Sequence, residues 1–207
     1  MIDVKQLLAP PGPKRVQNPL FVFIGHPHHG KTTARKMFSE LTGFAGGSCS
    51  DVIFAILSRH LGVPEAELRA ADKEQLRPKL VEFGNFLCGD IGTLKLVDSA
   101  PPGVENKTAQ LYRGPSSLVR VLFHVGCRVI DGVRRRLELN DVRNRMEWLG
   151  IPVVVFWVER PGEPVLQDNT ELSKEDADIV LLNDGTPADL RQKVQDWVEK
   201  NITRQPV

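Results

Sequence analysis

Leu20-Phe21-Val22-Phe23-Ile24-Gly25-His26-Pro27-His28-His29-Gly30-Lys31-Thr32 is the stretch on which the reading of this chain turns. Its first five residues form a short unbroken apolar run, as in a strand buried on both faces, and Gly25 ends it. Residues 25–32 then fit G-x-x-x-x-G-K-[ST] at every fixed position. Glycine at 25 and 30 permits backbone angles that other residues resist, so successive N–H groups can turn inward around a phosphate. The helix that follows aims its positive end at the same place. In such a loop Lys31 reaches the β- and γ-phosphates of a nucleoside triphosphate, and the Thr32 hydroxyl holds Mg²⁺. A chance match in a chain this long is on the order of one percent. The strand before the motif and the helix after it lower that further.

Working outward, residues 31–41 read as a helix stopped at Gly43. Residues 46–50 read as a small-residue loop, with Ser50 as N-cap of an apolar-periodic helix closed by Gly62. Residues 64–88 carry Leu76, Leu80, Phe83 and Leu87 at helical spacing, and residues 89–114, with Pro101-Pro102-Gly103, read as a loop. Pro115-Ser116-Ser117 opens a helix that ends at Gly126. Strands are expected at 127–130, 153–158 and 179–182, and helices at 136–149 and from Thr186-Pro187 to about residue 200. Strands alternating with helices imply an α/β fold of the P-loop NTPase, nucleotide-kinase-like kind. It is expected to have a parallel sheet with helices on both faces and a helical insertion. Residues 1–18 read as an N-terminal extension and 19–207 as one domain. Within it, 45–115 would meet the acceptor and 159–176 would form a lid-like segment.

Composition bounds the function classes. The chain has 207 residues, 41% hydrophobic and 26% charged, an ordinary globular balance. A net charge of +1 gives no global field for DNA, so nucleic-acid binding would need a local basic patch. Cys49, Cys88 and Cys127 form no CxxC pair and read as reduced, buried thiols of a cytoplasmic protein. No stretch is apolar for long enough to cross a bilayer, so no membrane partner is expected. His26, His28 and His29 fill the variable positions of the loop, where side chains are expected to point outward, and they lack partners at zinc-ligand spacing.

A phosphate loop needs an acid at the end of a neighbouring strand, acting on Mg²⁺ directly or through water. Asp131, after an apolar run and before Gly132, supplies it. Arg134, Arg135 and Arg136 follow at once, and guanidinium forks match the oxygens of a transferred phosphoryl group. One or two of them are expected at that group and the third in solvent or paired with Glu138. Asp51 is a candidate to accept a hydroxyl proton from the acceptor, with a plain helix-start acid as the rival reading. Lys73 and Arg77 lie one helical turn apart, within reach of acceptor phosphates or in solvent. Arg160, Asp168 and Asn169 fall in the lid-like segment. Asn183-Asp184-Gly185 follows the last strand, where a nucleotide base could rest or the chain could simply turn.

Taken in order, residues 25–33 (so Thr33 with the loop), Val129-Ile130-Asp131-Gly132-Val133-Arg134-Arg135, Asp168-Asn169-Thr170-Glu171 and residues 177–186 resemble the bacteriophage deoxynucleoside monophosphate kinase-like P-loop kinases. Residues 46–51 and 73–78 look more like the branch that phosphorylates 5-hydroxymethyluracil within phage DNA. The resemblance implies an ATP-dependent, Mg²⁺-requiring kinase, with catalytic residues Lys31, Asp51, Asp131, Arg134 and Arg135. It implies nucleotide contacts from Gly25, His29, Gly30, Lys31, Thr32, Thr33, Arg160 and Asn183, and metal-holding by Thr32 and Asp131. The acceptor it implies is a hydroxymethylated base in DNA, exposed to the site by flipping. A free deoxynucleoside monophosphate is the alternative, and a nucleotide-binding regulatory module without an acceptor is a third reading. Oligomeric state and the choice between ATP and GTP stay open.

Overall fold

The apolar run Leu20–Ile24 is strand β1, and all five residues are buried. It lies in the middle of a five-stranded sheet of order β2-β3-β1-β4-β5, in which every pairing is parallel. The other strands are β2 (Gly46–Ser48), β3 (Val129–Asp131), β4 (Val153–Glu159) and β5 (Ile179–Leu182). The helices are α1 (Lys31–Thr42), α2 (Cys49–Leu61), α3 (Glu65–Ala70), α4 (Ser117–His124), α5 (Arg136–Trp148) and α6 (Pro187–Asn201). This computed structural model describes residues 18–70, 76, 80, 84, 115–164 and 170–202. Leu76 and Leu80 are helical, as their spacing predicts; Lys73, Arg77, Phe83, Leu87, Cys88, 89–114, Asp168 and Asn169 lie outside the described residues.

A parallel central strand must bury both faces, and β1 does so by alternation. Leu20, Val22 and Ile24 join one core with residues of α2, α4 and α5, among them Val52, Leu122 and Leu139. Phe21 and Phe23 join the other with Ala34 and Phe38 of α1 and Leu190 and Val194 of α6. On that second face Phe23 stacks on Phe156 with ring centroids 4.7 Å apart, and Trp197 meets Phe156 edge-on at 4.7 Å. Each fully buried phenylalanine stabilises the fold by roughly 1.5–3 kcal/mol. This aromatic cluster fixes α1, and therefore the loop before it, against the sheet.

The helix ends follow the sequence chemistry. α1 stops at Gly43 in a left-handed conformation, and α2 stops likewise at Gly62. Thr186 and Asp189 close a capping box on α6, with proline in its first turn. Two boundaries differ from expectation. Residues 46–48 are not loop but the edge strand β2, paired with β3 at Gly46–Val129, Gly47–Ile130 and Ser48–Asp131. The N-cap of α2 is accordingly Ser48, not Ser50. The strand runs close to α4: a Cβ at Gly47 would come within 2.6 Å of Leu122 Cδ2, so a side chain there would require Leu122 to shift. β3 also starts two residues later than predicted: Val125 and Gly126 form the turn out of α4, and Cys127 and Arg128 after it donate to the Leu122 and Ala45 carbonyls.

Among the described residues no helix is long and apolar enough to cross a membrane. Cys49 and Cys127 are buried cysteines.

Candidate phosphate-binding site

Gly25 to Gly30 link β1 to α1 at the C-terminal edge of the sheet, the edge where such folds bind ligands. Gly25 has φ +139° and Gly30 φ +95°. At Gly25 a Cβ would overlap the Val158 carbonyl oxygen, so the requirement is steric as well as conformational. Gly25→Ala is therefore expected to destabilise the fold by at least about 1–3 kcal/mol from backbone strain, with the overlap adding to it. The midpoint of urea unfolding checks this.

Gly30 caps α1 without any side-chain hydrogen bond, and the first turn holds no acid. The positive end of α1 is thus left to an anion from outside the helix. Lys31 Nζ lies back over the loop and donates to the His26 carbonyl at 2.5 Å. Thr32 and Thr33 are exposed in the first turn. Two glycines at positive φ, a lysine over the loop and an exposed Thr32 at the helix start are the features a phosphate loop requires.

His29 does not point outward as its variable position suggested. It is buried, with 3% of its surface exposed. Its Nδ1 accepts from the Arg160 backbone N–H at 3.3 Å, and its carbonyl accepts from Asn183 Nδ2 at 3.0 Å. The ring therefore serves as a brace between the loop and the end of β4, and its Nε2 is buried with no hydrogen-bond partner. His26, half-buried, packs edge-on against Trp157 at 5.2 Å and against His29 at 5.4 Å, whereas His28 is exposed with φ +63°. Arg160 enters this brace through its main chain while its side chain is exposed. Asn183 supports the loop from beneath: a Cβ on Gly30 would come within 2.6 Å of its Nδ2.

Burial lowers the His29 pKa, His26 and Lys31 add to the effect, and Glu163 and Glu159 oppose it. The folded protein thus holds His29 neutral at pH values where the unfolded chain takes up a proton. This stability contribution is complete above the unfolded value of about 6.5 and is lost as pH falls below it. Urea unfolding at pH 7.5 and 5.5 should show a smaller loss of stability on acidification for His29→Gln than for the unaltered protein.

Asp131 ends β3, directly opposite Phe23 of β1 and Ser48 of β2. It is 2% exposed, and its Oδ2 accepts from Arg35 Nε at 3.0 Å. Arg35 went unnoticed in the sequence. The signal was a charged residue between Ala34 and Phe38 on the buried side of α1.

Gly132, at φ +93°, turns the chain away from β3 beside Cys49 at the start of α2. Arg134 is exposed and Arg135 half-buried, and both backbone N–H groups donate to Glu138 Oε2, at 2.9 and 3.1 Å. These two arginines thus sit at the loop after β3, on the same sheet edge as the phosphate loop. Arg136 leaves them: its fork holds Asp176 at 2.9 and 3.2 Å, pairing with the short 3₁₀ turn Lys174–Asp176 rather than with Glu138. That hydrogen bond outweighs burial and holds the Asp176 carboxyl below its ordinary range. Asp51 lies in the first turn of α2. Its Oδ2 accepts from Ser48 N at 3.2 Å and its Oδ1 from Arg69 at 2.8 Å. The capping role weighed in the sequence is therefore present, and the other oxygen is held by an arginine that also pairs with Glu65 and lies over the Phe54 ring. Among the described residues no group of three or more His, Cys, Asp or Glu side chains could hold a metal ion.

No protein-family model and no curated protein sequence matches the chain. Among solved structures it is similar to a sugar kinase from Janibacter sp. HTCC2649, at 15% identity and a TM-score of 0.43 over 88% of this chain and 95% of that one. It is also similar to dephospho-CoA kinase from Campylobacter jejuni, at 15% identity and a TM-score of 0.42 over 89% of this chain and 97% of that one. Likeness at this level does not bear on what this chain acts on.

Proposed function

We propose that this protein is a phosphotransferase that takes the γ-phosphoryl group of ATP, with Mg²⁺, at the loop of residues 25–32. One observation carries the reading. The loop joins a central parallel strand to a helix whose start has no side-chain cap, with Lys31 over it and Asp131 on the adjacent strand. Backbone N–H groups and Lys31 bind and orient the phosphates, and Thr32 and Asp131 are the residues to hold the metal. When bound, Mg²⁺ neutralises charge on the phosphate oxygens. Arg134 and Arg135 stand at the adjacent loop, where guanidinium groups can stabilise the transferred phosphoryl group.

For the acceptor we propose the hydroxymethyl group of 5-hydroxymethyluracil in DNA, as the resemblance of residues 46–51 and 73–78 suggests. A free deoxynucleoside monophosphate is the second reading. It is favoured by the net charge of +1 and by the half-exposed Arg69 beside Asp51, a place for an acceptor phosphate. Transfer of labelled γ-phosphate from ATP separates them, with DNA containing 5-hydroxymethyluracil and a panel of deoxynucleoside monophosphates as parallel acceptors. Label on DNA, falling steeply with salt, is expected for the first reading. Label on a monophosphate alone would replace it with the second.

A further inference from the structure

Arg35 lies one helical turn beyond Lys31, on the buried side of α1. An arginine only 7% exposed is costly to hold, and pairing it inside the protein adds little net stability over an apolar residue of the same size. The surroundings are nevertheless shaped around it. Its Nε donates to Asp131 Oδ2 at 3.0 Å. Across the sheet edge, Gly46 leaves room for the guanidinium: a Cβ there would come within 2.7 Å of Arg35 Nη1 and would overlap Ser39 Oγ. Arg35 of α1 thus holds one oxygen of the carboxylate at the end of β3, with Gly46 of β2 close beside its guanidinium. The planar guanidinium fixes direction in a way a lysine ammonium does not.

We propose that Arg35 is a positioning residue for the metal-holding acid. By engaging Oδ2 it leaves Oδ1 of Asp131 as the oxygen offered to the Mg²⁺ of a bound nucleotide or to its waters. Arg35 touches neither nucleotide nor acceptor and acts through Asp131. The inference rests on the phosphotransferase reading above.

The test is a titration of the full chain with a fluorescent ATP analogue, in EDTA and over a range of Mg²⁺ concentrations. The proteins are the unaltered chain, Arg35→Lys, Asp131→Asn and Gly46→Ala, which crowds Arg35 without removing it. In EDTA all four are expected to bind the analogue within about twofold of one another. The half-saturating Mg²⁺ concentration is expected to rise about tenfold or more in Asp131→Asn and Arg35→Lys, the usual loss when a residue orienting a metal ligand is changed. Gly46→Ala should shift it the same way. A half-saturating Mg²⁺ concentration unchanged in Arg35→Lys overturns the proposal, whatever its thermal stability. If Arg35→Lys does not fold, an unchanged value in Gly46→Ala does the same. If the unaltered chain binds no analogue under either condition, the phosphotransferase reading fails instead, and the two failures are distinct.

Discussion

Asp131→Ala is expected to lower the stability of the fold by about 3–5 kcal/mol, because it strands a buried guanidinium without its counter-charge. Arg35 is buried where α1, β2 and β3 meet, with 7% of its surface exposed. Against a total stability of about 5–15 kcal/mol for a domain, such a loss is a large fraction. Asp131→Asn should lose less, since an amide oxygen still accepts from Arg35 Nε. Replacing both partners with apolar residues, as in Arg35→Met with Asp131→Leu, should recover much of the loss, because no charge is then left buried. Urea unfolding of the three variants beside the unaltered protein checks the order. An Asp131→Ala variant as stable as the unaltered protein would mean that the pair is not closed in solution.

Lys31→Ala should have the opposite profile. The side chain is half-buried at the surface of the loop, and its removal is expected to change stability by no more than about 0.5 kcal/mol. Phosphoryl transfer should fall by on the order of 10²–10³-fold, the usual loss when one preorganised charge at a developing anion is removed. Rates of γ-phosphate transfer measured beside thermal unfolding separate the two effects. Together the two variants divide the site: Asp131 belongs to both the fold and the chemistry, Lys31 to the chemistry.

The parts of the fold that were legible in the sequence are those where one local pattern dominates. β1, β4 and β5 are apolar runs, and α1 and α6 carry their own start and stop residues. β2 was not legible, because Gly46-Gly47-Ser48 has no strand-forming side chains, and the closeness of Arg35 and Leu122 to its glycines appears only in the folded chain. The turn of residues 25–30 between β1 and α1 was legible because its glycine spacing is imposed by geometry. The direction of His29 was not, since motif spacing fixes the backbone and leaves the variable side chains to tertiary packing. Asp131 could be placed at a strand end from sequence. That it is held by Arg35, 96 residues earlier, depends on how α1 crosses the sheet, and no local pattern carries that. Asp51 shows a further limit: the sequence weighed a proton acceptor against a helix-start acid, and the carboxylate caps α2 while also pairing with Arg69, which neither reading included.

The central claim is that residues 25–32 hold the phosphates of a nucleoside triphosphate, and the most direct measurement is competition for a fluorescent ATP analogue bound to the unaltered chain in Mg²⁺. The account predicts saturable binding at one site, displaced by ATP, much less by adenosine, and abolished with the strained Gly25→Ala loop. Absence of binding, or displacement by adenosine as effective as by ATP, would contradict it, because the site would then not be reading phosphate.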